Sequence, residues 1–170
     1  MDELKHWHAV FTASRAEKKV RDRLEELGVE CFLPVQTVLR QWTYRKSRVV
    51  VPVIAGLVFV RVGRQEQVKV LQTKGVVAFL RLKGEVGAAV IPDKQMEDFR
   101  FLLDFSEEAV EMTNENIKAG DLVRVVKGSL RGMEGELIRH KGVTKVLVRI
   151  DMLGCAMVNI PASFVEKLNK

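Results

Sequence analysis

The sequence predicts an α+β chain: an N-terminal α/β sandwich, with an antiparallel sheet and flanking helices, followed by a C-terminal SH3-like β-barrel. Three observations lead there. Val49–Val60, VVVPVIAGLVFV, is twelve residues with no charge and no side-chain hydrogen-bonding group, in a chain that is 29% charged. It is too short for a membrane span, which needs about 20 apolar residues. Pro52 and Gly56 interrupt it, so it reads as a strand, a tight bend and a second strand, Leu57–Val62, at the centre of a sheet. The second observation is charge. Residues 104–118 hold one basic and five acidic side chains, whereas 1–103 carry a net +6 and 119–170 a net +4. The acidic stretch has the composition of a solvated linker and divides the chain into two basic domains, 1–103 and 119–170. Third, the last fifty residues are short β-branched runs punctuated by Gly128, Gly132, Gly135, Gly142 and Gly154, the pattern of a small barrel.

Taken in order, Trp7–Ala13 reads as the first strand. Ser14-Arg15-Ala16-Glu17 follows as a capping box, opening a helix to about Leu27 with Gly28 as its C-terminal stop. Ala16, Val20, Leu24 and Leu27 form the buried stripe of that helix. Val29–Leu33 is a strand ending at Pro34. Val38–Tyr44 alternates as a two-faced strand that places Trp42 and Tyr44 on one face. It turns at Arg45-Lys46-Ser47-Arg48 and returns through Val49–Val51. Gln65–Gln72 is a short helix with Val68 and Leu71 inward, and Val76–Leu82 a strand. Pro92 opens a last helix to about Leu103, with Met96, Phe99 and Leu103 at helical spacing. Beyond the linker, Asp121–Lys127, Glu136–His140, Lys145–Asp151 and Ala156–Ile160 are strands, joined by turns that include Lys141-Gly142 and Leu153-Gly154.

Chemistry is largely excluded. The chain has three histidines, and the His6-x-His8 pair could bind a metal as neighbours on a strand face, but no cysteine or carboxylate supports such a site. Neither a GxxxxGK[ST] nor a strand-coupled GxGxxG loop occurs. Cys31 and Cys155 lie far apart among apolar residues, with no disulfide framework, which predicts a reducing cytoplasm. The acidic N-terminus, Met-Asp-Glu, lacks the apolar core of a signal peptide. A binding protein is expected, with no enzyme activity, no cofactor and no metal.

Two features suggest what it binds. Arg15, Lys19 and Arg23 follow at i, i+4, i+8, stacking three like charges on one helix face at a cost of a few tenths of a kcal/mol per pair. They form either a solvated face, partly neutralised by Asp22 and Glu26, or a track for phosphates. From Cys31 to Gln65 there are six basic residues and no acidic one. A basic hairpin carrying Arg40, Arg45, Lys46, Arg48, Trp42 and Tyr44 either uses its rings to cover the sheet or meets phosphates with its charges and bases with its rings. At the bend, Val53, Ile54 and Leu57 are either plain core or an apolar docking patch.

Two stretches together resemble a known family. Ala119-Gly120-Asp121-Leu122-Val123-Arg124-Val125-Val126-Lys127-Gly128-Ser129-Leu130-Arg131-Gly132-Met133-Glu134-Gly135 looks like a KOW motif, followed by Met152-Leu153-Gly154 and the ending Phe164-Val165-Glu166-Lys167. Trp7-His8-Ala9-Val10, the helix after it, the bend to Leu57-Val58-Phe59-Val60, and Thr73-Lys74-Gly75-Val76 resemble the N-terminal domain of NusG proteins. Within that family, Lys74–Arg81 and the compact linker look like the operon-specific paralogues of the RfaH and UpxY type, the latter acting on capsular polysaccharide operons.

The resemblance implies a transcription elongation and antitermination factor that suppresses pausing and termination. Its 1–103 domain would bind the β′ clamp helices of RNA polymerase and reach the β gate loop, and 119–170 would be the KOW domain. Carried over by position, Trp7, Ile54, Leu57 and Phe59 would form the polymerase-binding surface, and Glu66, Gln67 and Val68 would face the gate loop. Ala55 and Leu57 depart from the family's proline and aromatic at the bend, and the gate-loop triplet differs from that of the paralogue. Lys19, Arg23, Thr73 and Lys74 would touch non-template DNA, and nascent RNA is the other candidate strand. Leu130, Met133, Met152 and Leu153 would recruit a small-subunit ribosomal protein or Rho. A cytoplasmic monomer without membrane contact is expected. The alternative is a KOW-bearing ribosomal or RNA-binding factor, which has basic surface but no reason to expose an apolar bend.

Overall fold

The computed structural model describes residues 4–168. In chain order the elements are β1 (His6–Thr12), α1 (Glu17–Glu26), β2 (Glu30–Phe32), β3 (Val35–Gln41), β4 (Lys46–Pro52), β5 (Leu57–Val62), α2 (Arg64–Leu71), β6 (Val76–Phe79), α3 (Asp93–Phe105), β7 (Glu111–Thr113), β8 (Asp121–Val125), β9 (Glu134–His140), β10 (Val143–Ile150), β11 (Gly154–Asn159) and β12 (Val165–Lys167), with a 3₁₀ turn at Ala162–Phe164. Among the described residues no helix is long and apolar enough to cross a membrane. Packing gathers them into two compact units. One holds the described residues through Val35 together with Ile54–Asp93; the other holds Gln36–Val53 and the chain from Lys94 onward. These units cut the chain elsewhere than at 103/104 and 118/119. The β3–β4 hairpin and α3 group with the C-terminal strands.

The first unit is built on an antiparallel sheet ordered β2-β5-β1-β6. The uncharged run therefore supplies an internal strand, as its composition requires. Along β1 and β5, Ala9 pairs with Phe59 and Val10 with Val58. Successive residues alternate between faces, so Val10, Val58, Val60 and Val62 share one face and pack with Val20 and Leu24 of α1 and Val70 of α2. Trp7, Ala9, Leu57 and Phe59 lie on the other face and are also buried.

Helix α1 begins later than the capping-box pattern predicts. Ala13 N–H donates to Gly75 O and Ala16 N–H to Ala13 O, and Arg15 takes φ +59° in the turn between. Ala16 becomes the N-cap, without a side-chain cap. Glu17 then opens the helix with its side chain buried and Oε1 lacking a hydrogen-bond partner. The other end is a Schellman motif: Gly28 N–H donates to Glu25 O and Val29 N–H to Leu24 O. Val29 enters the core beside Leu24, whereas Leu27 is exposed. In α2 it is Val70 that is buried, not Val68 or Leu71. Eight residues with three apolar positions crowded into the last turn, Val68, Val70 and Leu71, do not fix a helical phase.

In the second unit, β3 and β4 form a two-stranded sheet of their own, closed at Trp42 N–H···O Arg45, 2.7 Å. The turn lies three residues earlier than expected, so Trp42 and Tyr44 sit at its tip and not on a strand face. Gln36 anchors the base: its Nε2 donates to Val110 O and its Oε1 accepts from Val110 N–H, both at 3.1 Å. Helix α3 buries Met96, Phe99 and Leu102, with Leu102 in the place expected for Leu103. Residues 121–167 are strands and turns, as expected. With β7 they form one antiparallel sheet ordered β12-β8-β9-β10-β11-β7. Among the described residues that order is linear, with β12 and β7 as edges, so the ladders do not close the expected barrel. Part of the predicted acidic linker is built in. β7 pairs with β11, Cys155 opposite Thr113, and Glu111 takes Lys145 Nζ at 2.6 Å.

Candidate nucleic-acid and protein interfaces

The basic stripe on the first unit is smaller than its spacing suggests. Lys19 and Arg23 lie one helical turn apart on α1, but Arg15 belongs to the preceding turn. Arg23 donates through Nη1 to Lys74 O at 2.7 Å, so it ties the 73–75 turn to the helix. That turn comes close because residue 75 is glycine. It has φ +96°, and a Cβ there would stand 2.8 Å from Val20 Cγ2. Thr73 is buried and spends its hydroxyl on Lys69 O, 2.9 Å. Lys74 is exposed. Asp22 pairs with Arg21 at 3.1 Å and leaves the stripe alone. Among the described residues neither Arg15 nor Lys19 has an acidic group within ion-pair distance. Arg23, Glu26, Leu27, Lys69, Gln72 and Thr73 line an open pocket of about 340 Å³.

Burial separates the members of the apolar group at the bend. Leu57 is 1% exposed, Phe59 fully buried and Trp7 6% exposed. Phe59 stacks on Phe32 with ring centroids 6.2 Å apart. These residues are core, because alternation on an internal strand turns every second side chain into one of two covered faces. Ile54 alone of the four keeps intermediate exposure. On α2, Glu66 holds Lys5 Nζ at 2.9 Å, and that hydrogen bond lowers its carboxyl pKa below the usual value. Gln67 is half-buried and Val68 exposed.

The hairpin carries the strongest unbalanced charge. Arg40, Arg45, Lys46 and Arg48 are all exposed, and none reaches an acidic partner among the described residues. Tyr44 is 98% exposed and Trp42 48%. The Trp42 indole Nε1–H donates to Ser47 Oγ, and Gln41 Nε2 donates to Trp42 O at 3.1 Å.

Of the C-terminal residues carried over by position, Leu130 and Met133 are buried, Leu153 is half-buried and Met152 is 38% exposed. Met152 takes φ +70°, a conformation that costs a side chain about 1–2 kcal/mol. Its turn is gripped from α3: Gln95 Nε2 donates to Asp151 Oδ1 at 2.9 Å and Gln95 Oε1 accepts from Asp151 N–H at 2.8 Å. Arg149 donates to both Glu136 oxygens and to Ile117 O. Gln36, Gln95 and Lys5 escaped the sequence reading, because each meets a partner far along the chain and no local pattern marks it.

No curated protein matches this chain. Solved structures do. That of Thermotoga maritima NusG, which describes its domain interaction, aligns over 97% of this chain and 98% of its own with a TM-score of 0.52 and 23% identity. Two conformations of the MjSpt4:Spt5 complex align at 16% and 18% identity, over 96% of this chain and 97% and 99% of theirs, with TM-scores of 0.31 and 0.30. The first shows that the fold is NusG-like. Residues 5–100, more than half of the sequence, match the family model described as transcription termination factor nusG. The chain belongs to the NusG family.

Proposed function

We propose that this chain is a transcription elongation factor of the operon-specific RfaH and UpxY type, which binds RNA polymerase and suppresses pausing and termination at one operon, such as a capsular polysaccharide operon. The observation that carries the reading is the family match over residues 5–100, joined to a basic surface that this chain leaves unpaired. An elongation factor must hold both a protein and a polyanion, and the exposed Arg15, Lys19 and hairpin cations suit the second task. The polyanion is the non-template DNA strand or the nascent RNA. The protein partner is the β′ clamp-helix region, with the β gate loop met by Gln67 and Val68. Of the apolar group, Ile54 makes direct contact, while Trp7, Leu57 and Phe59 hold the bend in shape. Residues 119–170 act as a KOW module that recruits a ribosomal protein or Rho through Met152 and Leu153. The protein works as a cytoplasmic monomer, without catalysis, cofactor or metal.

The test is co-purification with core RNA polymerase followed by transcription on a template with a known pause and terminator. The expected result is binding, a shortened pause and increased readthrough. Ile54→Asp, with an unchanged circular dichroism spectrum, should weaken polymerase binding at least tenfold, as expected when an apolar contact worth about 1.5–3 kcal/mol is lost. Binding equal to that of the parent chain rejects the contact, and unchanged or increased termination rejects antitermination. The KOW-bearing ribosomal or RNA-binding alternative predicts no polymerase binding at all.

A further inference from the structure

We infer that the tip of the β3–β4 hairpin is a stacking platform for unpaired bases, so that the nucleic acid held there is single-stranded. The inference deepens the nucleic-acid part of the function proposed above and rests on it. Covering the sheet is not the work of these rings: Tyr44 is 98% exposed and Trp42 about half. The tip is nonetheless ordered. Trp42 N–H closes the turn on Arg45 O, and its indole N–H is held by Ser47. An indole fixed in this way loses little freedom on binding.

Around the rings stand Arg40, Arg45, Lys46 and Arg48, and no acidic residue lies between Cys31 and Gln65. Cations alone would serve for the phosphates of either a duplex or a single strand. The rings make the difference. In a duplex each base is already stacked on its neighbours and shows only its edge in a groove. An unpaired base offers its whole face, and stacking on an aromatic side chain tolerates any base. Rings exposed at the end of a hairpin and flanked by cations match a splayed single strand.

The experiment uses the full chain and labelled oligo-dT, oligo-U and a duplex of the same length, read by fluorescence anisotropy over one series of salt concentrations, with the polymers compared at equal salt. The parent should bind a single strand more tightly than the duplex. Tyr44→Ala should weaken single-strand binding roughly 5- to 100-fold and leave duplex binding and the salt slope unchanged, while Tyr44→Phe retains the parent affinity. Because the residue is fully exposed, the fold is not at risk, and circular dichroism checks it. Preference for dT or for U identifies the polymer, and either supports the inference. It is overturned if Tyr44→Ala binds single strands as tightly as the parent, or loses equally on the duplex. If Arg45→Gln with Arg48→Gln still flattens the salt slope in that case, the nucleic-acid role of the hairpin stands and only stacking fails.

Discussion

His8 shows how one side chain couples this fold to pH. It is buried on β1, donates through Nδ1 to Ala89 O at 2.9 Å and meets Phe79 edge-on. Burial, as the main cause, pushes its pKa below the ordinary 6.5. The unfolded chain therefore takes up a proton first as pH falls through 6.5, and stability declines from there down to the lower folded value. Urea midpoints should drop over that range, and His8→Gln should flatten the drop; an equal drop in the variant would reject His8 as its source. Gly154 is constrained both by its backbone angle and by the backbone beside it. At φ +106° a Cβ would stand 2.1 Å from Thr113 O, so Gly154→Ala should cost at least about 2 kcal/mol and free the β7 pairing, seen as faster amide exchange at residues 111–113. At this scale the sequence was legible where periodicity speaks. Val20, Leu24, Met96 and Phe99 are buried as their spacing predicts. It was not legible where the buried position slips by one or two residues, at Leu102, Val70 and Val29, because local apolar spacing does not say which neighbour the partner element will meet.

Among the elements, those with strong composition were readable and those held by long-range polar contacts were not. The uncharged run yielded β5 at its stated bounds, internal in its sheet. The hairpin was readable as a hairpin, but its turn was misplaced because Arg45-Lys46-Ser47-Arg48 is polar and carries no glycine or proline to mark it. Nothing in the acidic composition of 104–118 foretold β7, which is held by ladder bonds to β11 and by Lys145. The clasp between α3 and the β10–β11 turn gives a direct test. Gln95→Glu replaces the amide donor facing Asp151 Oδ1 with a second carboxylate, so attraction becomes repulsion. The variant should be less stable than the parent at neutral pH and should recover as acid protonates one of the pair. A variant equally stable at both pH values would show that the clasp contributes nothing. The same clasp holds the turn bearing Met152 and Leu153, so its loss should also change access to those residues.

For the whole molecule, the net charge of +6 matters less than where the cations stay unpaired. The family and a mixed α/β architecture were legible because they rest on motifs in order along the chain. Which apolar residues of the motif are exposed was less so, since motif position does not distinguish an exposed apolar residue from a buried one: Leu57 and Phe59 stand in the motif and in the core. Electrostatics should still dominate affinity for nucleic acid. Log affinity should fall with log salt at about −0.7 per neutralised phosphate of a single strand, and Arg15→Gln with Lys19→Gln should reduce that slope. Arg23 is left unchanged in this variant because it is engaged with Lys74 O. An unchanged slope would make the stripe a solvated face. The contrast between the two tryptophans has an optical consequence. Trp7 is enclosed and Trp42 stands half in water at a charged tip, so the chain carries two intrinsic emitters in opposite surroundings. A soluble quencher should extinguish the tip and spare the core, so that one unlabelled sample reports occupancy of the hairpin at the red edge of its emission and integrity of the first sheet at the blue.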